Sequence, residues 1–135
     1  VEQERRFTLD EAQRLLDAEL RALAERMVEA RAKSRDLEAR WRKLVLAIGS
    51  NGGNMERPEV RELQTAVEAS HAELQEIVGK FTAEGVQVKD MDRGLIDFPA
   101  EVDGQDALLC WHVGEERIAF WHSPEDGFAG RKPIE

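Results

Sequence analysis

The sequence predicts an α+β fold, a long antiparallel, coiled-coil-like helical hairpin followed by a four-stranded antiparallel β-meander. Three observations carry that prediction. Residues 9–48 hold a sustained 4,3 apolar repeat, a second stripe of the same period runs from Val60 to Phe81, and beyond Gly85 the pattern changes to short alternating runs divided by turn residues.

The first helix is expected over 7–48. Thr8 can cap its first amides while Glu11, three residues on, reaches back to close a capping box. Its seam reads Leu9, Gln13, Leu16, Leu20, Leu23, Met27, Ala30, Ser34, Leu37, Trp41, Leu44 and Ile48. That heptad spacing keeps one stripe facing a partner helix, on a rod of roughly 60 Å at 1.5 Å per residue. The Gly49–Asn54 run breaks it, since Gly and Asn accept the turn conformations a reversal needs.

Pro58 suits the first turn of a second helix, where its missing N–H costs nothing, and Gly85 ends that helix after residue 84. A short connection between two apolar stripes makes an antiparallel pair. Helix 2 runs out before the first turns of helix 1, so Leu9, Leu15, Leu16 and Leu20 must be covered by the sheet or by a second copy of the chain. A homodimer through that end is one expectation. Ser34 and Ser70 fall close together in the seam as a layer of small residues, and His71 lies on the flank.

The remainder, 85–135, reads as Val86–Lys89, Leu95–Phe98 ended by Pro99, Ala107–Val113 and Arg117–His122, with turns at Asp90–Gly94, Asp103-Gly104 and Gly114-Glu115. The Gly127–Pro133 tail is too glycine-rich for regular structure, with Phe128 tucked against the body. All of this is expected within one domain, 1–135. Reading Gly114-Glu115 as a two-residue turn pairs Trp111 with Ile118 and Leu109 with Phe120. One face then carries Leu109, Trp111, Val113, Ile118, Phe120 and His122. The other carries Leu108, Cys110, His112, Arg117, Ala119 and Trp121, a mixed face suited to binding.

The chain of 135 residues carries a net charge of −9. Residues 1–48 hold +1, residues 49–84 hold −4 and residues 85–135 hold −6. A nucleic-acid footprint needs a basic face, so nucleic acid is disfavoured as a partner. The basic run Arg31, Lys33, Arg35, Arg40, Arg42, Lys43 leaves a weaker RNA or ribosome reading, and it alternates with Asp36 and Glu38. No stretch reaches the roughly 20 apolar residues of a membrane span and no signal-like segment opens the chain, so the location read from the sequence is cytoplasmic.

With a single cysteine, Cys110, neither an internal disulfide nor any cysteine-based zinc cage is expected, and it reads as a small strand residue, with a reactive thiol as the lesser alternative. In the two-residue-turn register His112 and His122 lie on opposite faces. With a three-residue turn they share a face but stand four residues apart, roughly 13 Å, too far to share a metal. Asp90–Gly94 with Glu101 departs from a calcium loop where the ligand and glycine belong, and reads as a turn. No cofactor and no metal ligand is assigned. No phosphate loop, His-Glu-x-x-His pair or nucleophile elbow is present, and the balance is against an enzyme.

The candidate binding residues are Asp97, His112, Glu115, Arg117, Trp121, His122 and Arg131. The run Gly85–Pro99 (GVQVKDMDRGLIDFP), the run Leu108–Glu115 (LLCWHVGE), Trp121-His122 and Gly127–Arg131 (GFAGR), with the opening Phe7-Thr8-Leu9-x-Glu11-Ala12, resemble a small prokaryotic family known only as a domain of unknown function. The resemblance implies that these segments belong together and carries no activity, substrate or cofactor. The reading put first is an interaction or scaffold module with a protein partner. The rival is a small-molecule site or enzyme where the sheet and tail meet helix 1, with Arg131 holding an anionic group and His122 or His112 with Asp97 handling protons.

Overall fold

A computed structural model describes residues 5–51 and 57–134. The capping box forms as its residues require. Thr8 Oγ1 accepts the Glu11 N–H at 3.1 Å and Glu11 Oε1 accepts the Thr8 N–H at 2.9 Å, which holds the Glu11 carboxyl below its ordinary range. Helix α1, Leu9–Leu15, continues through a π-helical turn at Leu16–Leu20 into α2, Arg21–Asn51. The π-turn rotates the apolar stripe. Ala12, Leu16, Leu20 and Ala24 are buried in steps of four, while Leu9 is exposed. From Met27 onward the heptad seam holds, with Ala30, Ser34, Leu37 and Ile48 buried. α2 runs on to Asn51, two residues past the Gly49 expected to break it; the rest of that break lies outside the described residues.

Helix α3, Pro58–Ala83, begins with its proline in the first turn and packs back along α2. Val60, Ser70, Leu74, Ile77 and Phe81 line its inner face, and His71 bonds Glu38 across the pair at 2.9 Å. The buried Ser34 and Ser70 each bond within their own helix, to Glu38 Oε1 and the Val67 carbonyl, so the small layer leaves neither hydroxyl unpaired. Arg31 and Arg35 face Asp92 at 3.3 and 3.2 Å, and Arg40 faces Asp36 at 3.9 Å, so those members of the basic run are matched by acids.

Gly85, at φ +80°, turns the chain into an antiparallel meander in the order β1-β2-β3-β4-β5. The strands are Gln87–Asp90, Leu95–Val102, Gln105–Trp111, Phe120–His122 and Lys132–Pro133. The described residues form five strands where four were expected, because the tail adds β5: Ile134 N–H donates to the Ala119 carbonyl at 2.9 Å and Pro133 stands opposite Phe120. Pro99 does not end β2. β1 stops at Gln87 opposite Asp97, so the edge at Pro99 has no strand needing an N–H there, and its carbonyl instead accepts the Phe7 N–H at 2.7 Å.

The register of β4 also differs from expectation by one residue. Leu109 pairs with Trp121 and Cys110 with Phe120, which puts Trp121 on the core face and His122 on the other. The connection 112–119 is no two-residue hairpin. Helix 1 pins it, since Gln13 Oε1 accepts the Ile118 N–H at 2.9 Å and Arg21 donates to the Glu116 carbonyl at 2.6 Å.

The core lies between the helices and one sheet face. Phe7, Ala12, Leu16, Leu20, Ala24, Met27 and Ala30 meet Leu74, Ile77, Phe81, Ile96, Phe98, Leu109 and Trp111. The sheet therefore helps to cover Leu15, Leu16 and Leu20 of the apolar opening of helix 1, and Leu9 stays exposed. Beyond Ala30 and Leu74 the helices leave this core and continue as a two-helix arm, roughly 30 Å long at 1.5 Å per residue.

Candidate functional site

Side-chain alternation gives the sheet a second face, turned away from the helices. Asp97, Cys110 and Phe120 stand in one row across β2, β3 and β4, with Pro99, Leu108 and His122 in the next. Three of these form a closed polar cluster. Asp97, Cys110 and His122 are 1%, 0% and 2% exposed. One donor atom from each lies within 4.8 Å of the others. His122 Nε2 stands 3.0 Å from Asp97 Oδ2, and its Nδ1 2.8 Å from the Ser123 carbonyl oxygen. Both ring nitrogens thus face acceptors. In the absence of a cation, the Asp97–His122 pair must hold a second proton, on the ring or on the carboxyl. Among the described residues Asp97 Oδ1 has no hydrogen-bond partner.

Burial, and then the adjacent Asp97 carboxylate, push the Cys110 thiol up to about 12. A thiol so held is protonated and is no nucleophile. The charges of Arg131 and Glu115 also bear on that thiol, Arg131 in the opposite sense from Asp97.

Arg131 and Glu115 make the neighbouring half of the site. Arg131 Nη2 donates to Glu115 Oε2 at 2.6 Å with both side chains largely buried. Its guanidinium carbon lies 4.0 Å from the Phe120 ring centre and 4.7 Å from that of Phe128. Glu115 Oε1 accepts the His112 backbone N–H at 3.0 Å, and the Glu115 carbonyl accepts the Trp111 indole N–H at 2.9 Å. The 112–115 turn is therefore built around the glutamate. His112 rests near Phe128, with Nδ1 on the Val113 carbonyl. Gly127, at φ +65°, starts the short 3-10 turn Phe128–Gly130 that lays Phe128 and Arg131 over this face. Arg131 Nε is buried and has no hydrogen-bond partner among the described residues.

Five of the seven residues singled out from the sequence belong to this face or its cover: Asp97, His112, Glu115, His122 and Arg131. Two do not. Arg117 is exposed and lines a cleft of about 730 Å³ between helix 1 and residues 116–119, with Asp10, Gln13 and Arg21. Trp121 packs against the core on the opposite face, with Lys132 over its ring at 5.1 Å. Cys110 was missed. The available signal was its place in the Leu108, Cys110, His112 row, but the register then adopted put His122 across the sheet from it.

Chemically, the cluster can hold a cation among sulfur, nitrogen and oxygen donors, or pass a proton between Cys110, Asp97 and His122. Stability alone accounts poorly for it. Buried ion pairs return about what their desolvation costs, and an orphaned buried acceptor costs roughly 1–3 kcal/mol.

A family model described as "Uncharacterized conserved protein (DUF2203)" matches residues 5–134. No curated protein and no solved structure matches the chain.

Proposed function

The chain belongs to this uncharacterised conserved family, and from that premise we propose that it is a ligand-binding domain whose site is the closed polar cluster beneath the C-terminal tail. One observation carries the reading. Ionisable side chains from β2, β3, β4, the 112–115 turn and the tail converge on one buried face, and two of their polar atoms, Asp97 Oδ1 and Arg131 Nε, are left without partners. Polar atoms are taken out of water at such cost where something else is to meet them. The lone cysteine is buried and free, which fits a reducing compartment, and we place the protein in the cytoplasm.

Native mass spectrometry of the protein purified gently from its own cell tests this. The expected result is a mass adduct on the wild type that is absent from a folded Asp97→Asn variant. A bare wild-type mass, or an adduct that survives the substitution, overturns the proposal.

The two-helix arm supports a second reading, an interaction or scaffold module. Its favouring observation is that α2 beyond Ala30 and α3 before Leu74 add nothing to the main core, while Val45 and Leu46 near its tip are 36% and 71% exposed. A coiled-coil-like arm of this kind reaches a protein partner without disturbing the base. Affinity capture from the native cell with wild type and with residues 39–70 replaced by a short Gly-rich turn discriminates. A partner lost with the arm supports the module, and identical recoveries remove it.

A further inference from the structure

We propose that Asp97, Cys110 and His122 form a three-ligand site for a thiophilic divalent transition-metal ion of the zinc class. This rests on the ligand-site reading above and names the ligand.

The donor set is the first argument. A thiolate, an imidazole and one carboxylate are the ligands that borderline-soft ions take, at about 2.3 Å for sulfur and 2.0–2.2 Å for nitrogen and oxygen. Calcium asks for six to eight oxygens and magnesium for an octahedron of them, and this cluster presents a single carboxylate. Sulfur and imidazole together select the zinc class.

Placement is the second. The three side chains come from adjacent strands, with Asp97 and Cys110 as direct cross-strand partners and His122 diagonal to Cys110. Donor edges of a tetrahedral zinc site, from the bond lengths above, are roughly 3.3–3.7 Å. The Nε2–Oδ2 separation is 3.0 Å and no donor pair exceeds 4.8 Å, so the side chains need only rotate slightly around an ion.

The third argument is the histidine's other nitrogen. Nδ1 has the Ser123 carbonyl 2.8 Å away and must donate to it, so that in the neutral ring the Nε2 lone pair faces Asp97 and Cys110. Metal-bound histidines are oriented by such a bond to a backbone carbonyl. The fourth is the buried Asp97 Oδ1, which meets no hydrogen-bond partner among the described residues, its carboxyl being reached only by His122 and the Cys110 thiol, the other two members of the cluster.

Charge closes the argument. A divalent ion displaces two protons to solvent, the thiol proton and the second proton of the Asp97–His122 pair, and with a neutral imidazole the Cys110 thiolate and Asp97 carboxylate balance it to zero. The adjoining Arg131–Glu115 pair is itself neutral. At 0–2% exposure none of the three side chains is open to solvent, so loading accompanies folding or opening of the tail.

Protein refolded after denaturation with chelator tests the proposal. It is supplied with Zn2+ or Co2+ alone, desalted, and assayed for bound metal, melting temperature and absorption. The expected result is one metal per chain, a melting temperature several degrees above the metal-free protein, and a thiolate-to-cobalt charge-transfer band in the near ultraviolet. Cys110→Ser, which keeps the side-chain volume, loses the band and most of the bound metal while retaining native far-ultraviolet circular dichroism. Wild type that holds no more Zn2+ or Co2+ than Cys110→Ser overturns the metal assignment. If the protein from its own cell then carries a non-metal adduct lost in Asp97→Asn, the ligand site stands and only its occupant is wrong. If it carries none, both readings fall.

Discussion

Replacing Arg131 by alanine removes the cation that ties the C-terminal tail to the 112–115 turn. Its Nη2 donates to Glu115 Oε2 at 2.6 Å, with the two side chains 11% and 17% exposed. A hydrogen bond between charged groups in such a setting contributes about 1.5–3 kcal/mol. Stacking of the guanidinium 4.0 Å over Phe120 adds about 0.5–1 kcal/mol. Arg131→Ala is therefore expected to cost about 2–4 kcal/mol in all. Arg131→Lys recovers only part of this, because an ammonium cannot stack flat on the ring while bonding the carboxylate. Urea unfolding followed by tryptophan fluorescence measures the cost, and a double-mutant cycle with Glu115→Ala isolates the pair. The coupling should be about 1.5–3 kcal/mol. A coupling below about 0.5 kcal/mol, the size of an exposed pair, refutes the assignment of Arg131 as the clasp of the tail.

In the metal-free protein Cys110 should resist iodoacetamide at about pH 8, where an ordinary thiol reacts, and should react promptly in urea. Its thiol is raised from 9.0 to about 12 in the fold, so its contribution to stability is full below about pH 9 and is lost as pH rises toward 12. Cys110→Ser should flatten that alkaline fall in urea midpoints. Gly94→Ala should cost about 2–4 kcal/mol, because φ is +64° there and the new Cβ collides with Val113 and Val28; a near-wild-type melting temperature would show the turn to be more pliant. Phe98→Ala should cost about 3–5 kcal/mol, since Phe98 is fully buried with its ring edge-on to Phe7 at 5.3 Å, and calorimetry reads it. Replacing residues 39–70 with a Gly-rich turn should leave the near-ultraviolet signals of Trp111 and Trp121 intact, because the main core stops at Ala30 and Leu74.

What the sequence made legible was mostly local chemistry. Thr8 and Glu11 form the box their spacing implies, Pro58 opens α3, and Asp103 and Gly104 turn the chain at φ +53° and +78°. The Met27–Ile48 seam follows from its period. The errors arose where distant side chains override a local preference. Gly114-Glu115 is a reasonable two-residue turn on its own terms, but Gln13 and Arg21 on helix 1 hold residues 116–118 and shift β4 by one. That single step exchanged the faces of Trp121 and His122 and concealed the meeting of His122 with Asp97 and Cys110. The π-turn at Leu16–Leu20 likewise has no residue signature; it lets Ala12 rather than Gln13 reach the core. β5 exists only because Phe120 and Ala119 are there to be paired. Five of the seven candidate residues still reached one face, because Asp97, His112 and Glu115 lie on segments whose placement did not depend on β4.

A high-resolution electron-density map of protein taken from its own cell, without chelator, tests the central claim most directly. The account predicts ordered density of a bound species touching Asp97 Oδ1, with Cys110 and His122 turned toward it. Wild-type density in which Asp97 Oδ1 and Arg131 Nε meet only water, with the His122–Asp97 bond intact, would contradict it and leave the cluster a structural network of the sheet.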